Sequence, residues 1–90
     1  MVKQILYSRG FIKNYNKRIA PFRNLSGRFD DRMRLFSKDG GNTLLKDHRL
    51  TGSKNDMRAF SVTGDVRLVY KKIDKNTILL MDVGTHNQVY

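Results

Sequence analysis

Few side chains in this sequence can do acid–base chemistry near neutral pH. The chain contains two histidines, His48 and His86, and neither cysteine nor glutamate. An imidazole donates or accepts a proton near neutral pH, so these residues are the first candidates for general acid–base catalysis. The lack of cysteine excludes disulfides, thiolate metal sites and cysteine nucleophiles. Two histidines without glutamate also disfavour a metal cage built from protein ligands, and we expect neither a metal nor a cofactor.

The chain is strongly basic. Its 18 Lys and Arg residues against eight acidic ones give a formal charge of +10 and an isoelectric point near 10.3. Ten of these cations, but only two of the acids, lie in residues 1–38. Such a field favours polyanions, and nucleic acid is the first candidate partner. A basic domain without a polyanion partner, or one with an acidic protein partner, is the alternative.

The length of 90 residues predicts a single domain spanning residues 1–90. No apolar run approaches the ~20 residues of a membrane span, and the first residues do not resemble a signal peptide. We therefore expect a cytoplasmic protein of bacterial type.

The first half of the chain predicts two helices after a short strand. Ser8 is a suitable N-cap for the first helix, and Pro21 breaks the pattern and suits the first position of the second. Gly40-Gly41 ends the second helix. The apolar stripes are Phe11, Tyr15 and Ile19 in the first helix and Leu25, Phe29, Met33 and Phe36 in the second.

The strands lie at both ends of the chain. The predicted strands are residues 3–8, 57–62, 66–73 and 77–83, and residues 42–54 are interpreted as a polar connecting loop. This order predicts an α+β fold, in which a helical hairpin covers one face of a mostly antiparallel four-stranded sheet.

The turn at Thr63-Gly64-Asp65 decides which side chains share a sheet face. We expect Gly64 and Asp65 to form a two-residue type II′ turn, with Gly64 at positive φ. Strand alternation then predicts a solvent-facing set and a set under the helices. The first set is Arg58, Phe60, Val62, Arg67 and Lys71, and the second is Met57, Ala59, Ser61, Val66, Leu68 and Tyr70. The solvent-facing set could bind phosphate through arginine and stack a base on Phe60, or it could be an ordinary solvated face.

Three motifs follow one another in the second half of the chain. They are Lys46-Asp47-His48-Arg49-Leu50-Thr51-Gly52, then Met57-Arg58 through Thr63-Gly64-Asp65-Val66-Arg67-Leu68-Val69-Tyr70, then Asp82-Val83-Gly84-Thr85-His86-Asn87-Gln88-Val89-Tyr90. Each motif alone is weak. Their order and spacing together resemble the RelE/ParE superfamily of type II toxin–antitoxin toxins, most closely its YafQ-like RNA-cleaving branch.

The resemblance implies the roles of the catalytic residues. His86 is the general acid or base, and Arg67 stabilises the charge on the scissile phosphate. His48 and Tyr90 are supporting or alternate proton-transfer groups, and Tyr90 would be a base only if neighbouring cations lowered its pKa. Asp65 either orients a histidine or is only a turn residue. The predicted RNA-binding residues are Arg58, Phe60, Lys54 and Lys71.

We expect Arg67, Arg58 and the terminal segment from His86 to Tyr90 to meet around one phosphodiester on one face of the sheet. The ribonuclease interpretation depends on this arrangement, and it fails if these side chains point to opposite sides of the molecule or lie too far apart to touch one phosphate group. The sequence also departs from the YafQ pattern, which commonly has a further histidine and a tryptophan where this chain has Ser61 and Val66. The missing histidine puts the detailed acid–base assignment in doubt.

The implied activity is metal-independent, ribosome-dependent cleavage of mRNA through attack of the adjacent 2′-OH. The implied partners are a cognate acidic antitoxin, the ribosome and mRNA, without a membrane. One alternative is a gyrase-inhibiting toxin of the ParE branch, which shares the fold. The other is a catalytically silent module that binds nucleic acid or an antitoxin.

Overall fold

The computed structural model describes residues 2–90 and contains the predicted order of strand, two helices and three strands, together with further short elements. The strands are β1 (Gln4–Tyr7), β2 (His48–Arg49), β3 (Arg58–Ser61), β4 (Val66–Asp74) and β5 (Thr77–Thr85), and the helices are α1 (Arg9–Arg18), α2 (Arg23–Lys38) and α3 (His86–Val89). A 3₁₀ turn spans Gly52–Lys54. No helix in the described part of the chain is long and apolar enough to cross a membrane.

Both long helices use the predicted apolar stripes. The Ser8 hydroxyl accepts a hydrogen bond from the Phe11 backbone N–H at 3.0 Å, which confirms the N-cap of α1. Phe11, Ile19, Phe29 and Phe36 are buried, and Tyr15, Leu25 and Met33 pack against them at the margin of the core. Pro21 lies two residues before α2 rather than at its first position, so that detail of the prediction is wrong.

The sheet has five strands in the order β1-β5-β4-β3-β2, so the predicted four-stranded sheet is wrong. β1 runs parallel to β5, and the other neighbours are antiparallel. The additional strand is β2, in which His48 pairs with Ala59 and Arg49 with Arg58. Two residues are too few to produce an alternating pattern, which is why this segment is interpreted as loop from sequence alone.

The register of the β3–β4 hairpin differs by one residue from the prediction. Phe60 lies opposite Leu68, and the Val62 N–H donates to the Val66 carbonyl at 2.8 Å, so three residues form the turn. Gly64 does not have a positive φ, and the Thr63 hydroxyl accepts hydrogen bonds from the turn backbone instead. The prediction of a type II′ turn is therefore wrong.

This shift exchanges the two faces of β3, because side chains alternate along a strand. Phe60 is fully buried and stacks on Phe36 with ring centroids 4.8 Å apart. On the opposite face, Ala59 and Val69 form a smaller apolar cluster with Leu50 and Val89. The predicted faces are correct for β4 and wrong for β3.

Helix α1 covers the part of β5 that β1 leaves unpaired. β1 pairs only with residues 77–80, so the carbonyls of the second half of β5 face α1 on that edge. The Ser8 hydroxyl donates to the Met81 carbonyl at 3.3 Å, and Arg18 Nη1 donates to the Val83 carbonyl at 3.1 Å. Arg18 also forms an ion pair with Asp82 at 3.5 Å. These contacts hold the end of β5, from which α3 begins.

Candidate functional site

A cleft of about 420 Å³ lies between the chain around β2 and the C-terminal helix α3. One wall comprises β2 and the following 3₁₀ turn, and α3 and the last residue form the other. The residues lining it are His48, Arg49, Leu50, Thr51, Ser53, Lys54, His86 and Tyr90. The two histidines, which are far apart in the sequence, therefore share one cavity.

Helix α3 positions His86. The Thr85 side chain accepts a hydrogen bond from the Gln88 backbone, and the Gln88 side chain accepts one from the Thr85 N–H at 2.8 Å. The His86 N–H donates to the Asp65 carbonyl at 3.1 Å, which ties α3 to the β3–β4 turn. His86 and Tyr90 are one helical turn apart, and their rings meet edge to face at 4.6 Å.

His48 is held by a hydrogen bond that determines its tautomer. Its Nδ1 lies 2.9 Å from the Lys46 carbonyl oxygen. A carbonyl only accepts, so Nδ1 carries the hydrogen and donates it. In the neutral ring Nε2 is then unprotonated and able to accept a proton. This arrangement suits a general base.

Arg67 brings a positive charge to the same end of the sheet. It is half-buried, and its Nη1 donates to the carbonyls of Thr63 and Gly64, both at 3.1 Å. No carboxylate lies within ion-pairing distance of this guanidinium among residues 2–90. Its charge is therefore not neutralised by a protein anion and can act on a bound phosphate.

The Tyr90 hydroxyl keeps its proton in this environment. Burial raises the pKa of its hydroxyl above the ordinary value, and the nearby Arg67 charge opposes the rise without cancelling it. The condition under which Tyr90 would act as a base, a pKa lowered by cations, is not met. The phenol stays protonated at neutral pH.

Lys54 and Asp65 support α3 in different ways. The Lys54 ammonium donates to the Val89 carbonyl at 2.5 Å, so this lysine lines the cleft and also anchors the end of α3. Asp65 is exposed in the turn, and its contact with His86 runs through its backbone carbonyl. This backbone contact positions α3 independently of the Asp65 carboxylate.

Three predicted RNA-binding residues lie outside the cleft. The predicted faces of Phe60 and Arg58 are wrong, whereas Lys71 lies on the predicted face of β4. Phe60 is in the core and cannot stack on a base. Arg58 lies on the helix-facing side with Tyr70 and forms an ion pair with Asp47 at 3.3 Å, so it does not meet Arg67. Lys71 pairs with Asp56 at 3.1 Å and is four residues from Arg67, about 13 Å along the strand.

Ser61 shares the face of Arg67, its partner across the strands, and is buried. Its predicted position on the helix-facing side is wrong, whereas Val66 is in the core under the helices as predicted. The position at which the YafQ pattern commonly has a further histidine therefore lies on the site's side of the sheet and contributes no acid–base group.

Sequence reasoning missed two contributors. Arg49 lines the cleft, and its Nε donates to the Asn55 carbonyl at 2.7 Å. Its place beside His48 in the first motif was the available signal. Helix α3 was also missed, although the run from Thr85 to Gln88 has the Thr-x-x-Gln spacing of a capping box.

A helical hairpin on a mixed sheet, with a histidine cleft at one end, defines a RelE-type toxin fold, and solved structures agree. YafQ from E. coli strain BL21(DE3) is 24% identical, with a TM-score of 0.79 over 100% of this chain and 99% of that one. The chain in the E. coli DinJ-YafQ toxin-antitoxin complex is 25% identical, with a TM-score of 0.78 and the same coverage. YoeB from Staphylococcus aureus, solved as a dimer, is 16% identical, with a TM-score of 0.75 over 96% of this chain and 99% of that one.

Residues 3–90 match the family described as the bacterial toxin of the type II toxin-antitoxin system, YafQ. The chain belongs to this family, and the resemblance found in its motifs is confirmed. YafQ toxins are ribonuclease toxins, which places the chain in an RNA-cleaving class. No curated protein sequence matches it significantly.

Proposed function

We propose that this protein is an endoribonuclease toxin that cleaves mRNA on the ribosome by 2′-OH attack and is neutralised by an acidic antitoxin. The observation that carries the proposal is the cleft in which His48, His86 and Tyr90 meet, at the same end of the sheet as Arg67. Two proton-transfer groups and one cation are what metal-independent phosphodiester cleavage requires. Arg58 lies on the opposite face of the sheet, so the predicted meeting of Arg58 and Arg67 around one phosphate is wrong. The proposal therefore rests on different support, the histidine cleft together with Arg67 alone.

The hydrogen bond of the His48 ring assigns this histidine as the base, which leaves His86 as the acid. His48, with its hydrogen on Nδ1, removes the proton of the 2′-OH through Nε2. The 2′-oxygen attacks the phosphorus, the bond to the 5′-oxygen breaks, and His86 gives that oxygen a proton. The products are a 2′,3′-cyclic phosphate and a 5′-OH. Tyr90 holds the His86 ring by edge-to-face contact, and its protonated hydroxyl is free to donate a hydrogen bond to the substrate.

Arg67 stabilises the charge that develops on the phosphorane oxygens. Three carbonyl oxygens of the turn hold its Nη1, which places the guanidinium before substrate arrives. A preorganised cation that needs no rearrangement during the reaction is worth more than a flexible one. The role is electrostatic, because an arginine side chain does not lose its proton in proteins.

The partners follow from charge. Most of the +10 excess lies in the first 38 residues, which include both long helices. This basic region suits ribosomal RNA, with binding that weakens steeply as salt rises. An acidic antitoxin would compete through the same complementarity, and the DinJ-YafQ complex supports an antitoxin partner for a toxin of this family.

Primer extension on cellular mRNA after induction tests the proposal. Cuts within codons support the ribonuclease, and loss of DNA supercoiling without cuts would indicate the gyrase inhibitor. If neither cuts nor loss of supercoiling is found, the protein is the silent module. The serine at position 61, where the family pattern commonly has a histidine, favours that alternative. We expect His86→Ala to lower cleavage by about 10²-fold or more. Asn87→Ala, the exposed neighbour on α3, is the matched control and should keep full activity.

The chemistry has a separate test on purified ribosomes programmed with mRNA. A single 2′-deoxy substitution at the cleaved nucleotide should abolish cutting. Cleavage of the deoxy substrate, or product ends with a 5′-phosphate, would refute attack by the 2′-OH.

A further inference from the structure

A second cleft, of about 350 Å³, lies on the other side of α3. Thr85, the N-cap of α3, and Gln88 of α3 line it, whereas His86 and Tyr90 line the histidine cleft. Residues three or four apart share one side of a helix, so α3 is a wall between the two cavities. We call this second cavity the Phe22 cleft, after the aromatic residue in the turn between α1 and α2.

The composition of the Phe22 cleft resembles a binding site for single-stranded nucleic acid. Phe22 is 58% exposed, an unusual position for so large an apolar ring. The charged residues that line the cleft, Lys17 and Arg18, are both basic, and Arg23 follows Phe22 in the chain. Cations for the backbone beside an aromatic platform for a base are the usual elements of single-strand recognition.

Only part of this cationic set is available to a ligand. Arg18 already donates to the Val83 carbonyl and pairs with Asp82, so it holds the end of β5. Lys17 is exposed on the last turn of α1. The cleft thus offers one aromatic face, one exposed ammonium and one fixed guanidinium, directly behind the helix that carries His86.

We propose that the Phe22 cleft binds a nucleotide of the RNA substrate next to the scissile step, with its base stacked on Phe22 and its phosphate near Lys17. The inference rests on the proposed ribonuclease function and extends it. The two clefts share α3 as a common wall, and both charged residues of the Phe22 cleft are basic, which favours RNA over an apolar peptide even though Ile19, Leu25 and Val66 also line it. Phe22 then influences which nucleotides flank the cut, because stacking strength differs between bases.

The chain lacks tryptophan, so Phe22→Trp introduces one fluorescent reporter. We expect its emission to be quenched by short RNA whose riboses are 2′-O-methylated, which blocks cleavage. Heparin, a polyanion without bases, should bind without quenching by stacking. Ile73→Trp is the control, because Ile73 is 53% exposed near the far end of β4 and outside both clefts. Equal quenching of both reporters, or none at position 22, would overturn the inference.

The functional arm uses Phe22→Ala and Phe22→Tyr in ribosome-dependent cleavage. Loss of the stack between the base and the aromatic ring should raise the KM of the alanine variant by about five-fold or more, and the tyrosine variant should recover the wild-type KM. Ile73→Ala is the matched control and should not change it. Cleavage by the wild type with no effect of Phe22→Ala would refute the Phe22 cleft alone. Quenching without any cleavage by the wild type would refute the proposed function alone.

Discussion

Gly84 has no side chain, and the packing of α1, β5 and α3 around it requires that empty space. It lies opposite Arg67, directly before the cap of α3. A Cβ at this position would be 2.6 Å from Gln88 Oε1 and 2.8 Å from Arg18 Nη1, closer than real Cβ contacts come. Gly84→Ala must therefore displace both side chains.

The cost is set by the hydrogen bonds that these two side chains would lose. Both clashing atoms lie at the ends of long side chains, which can swing away with little steric strain. Gln88 would then release the Thr85 N–H, and Arg18 would release the Val83 carbonyl. Each bond contributes about 1 kcal/mol, so we expect the free energy of unfolding to fall by about 1–2 kcal/mol. For a domain of this size, that lowers Tm by about 4–16 °C.

The matched control is Gly27→Ala. Gly27 lies in the exposed interior of α2, and a Cβ added there would have no atom within 4 Å outside its own helical turn. Alanine is better than glycine in a helix by roughly 1 kcal/mol, so Tm should rise. The same chemical change should thus have opposite signs at the two sites.

The assay is thermal unfolding followed by circular dichroism, with ribosome-dependent cleavage measured on the folded variants. Gly84→Ala should also reduce cleavage, because an uncapped α3 no longer holds His86 beside the Asp65 carbonyl. A Gly84→Ala protein as stable as the wild type would refute the role assigned to these hydrogen bonds. Reduced stability with normal cleavage would show that the cap of α3 does not position His86.

Three further predictions concern single side chains. Phe60→Ala should lower the free energy of unfolding in urea by about 3–5 kcal/mol, as expected of a core aromatic; a loss of RNA affinity at unchanged stability would instead favour an exposed ring. Burial, reinforced by Asp47, raises the pKa of the Tyr70 hydroxyl. The protonated hydroxyl therefore contributes fully to the free energy of unfolding below about pH 10, and this contribution disappears as the pH rises through the pKa of the folded state. Spectroscopic titration should find fewer than all four tyrosines ionised in the folded protein above that pH, and Tyr70→Phe should reduce this difference from the unfolded chain, leaving the smaller contributions of Tyr15 and Tyr90. Arg67→Gln should lower cleavage by about 10²-fold in a protein that still folds, although it loses hydrogen bonds to the carbonyls of the turn, and an unaltered rate would exclude the cation from the mechanism.

Local patterns predicted the elements that are long enough to show one. The stripes beginning at Phe11 and Leu25 identified both helices, and Ser8 identified the start of the first. The order of these elements, with three motifs in the second half, was sufficient to indicate the family. Two short elements were not predicted. β2 has two residues and α3 has four, which is too few to show a repeating hydrophobic pattern.

The sequence by itself determined the class of protein, the two histidines available for proton transfer and the basic character of the helical half. Only the tertiary structure decided which side chains share a surface. A one-residue change in the β3–β4 turn moved Phe60 into the core and separated Arg58 from Arg67, because neighbouring residues of a strand point to opposite faces. The meeting of His48 with His86 likewise depends on pairing between segments distant in the chain, and no local pattern contains that information.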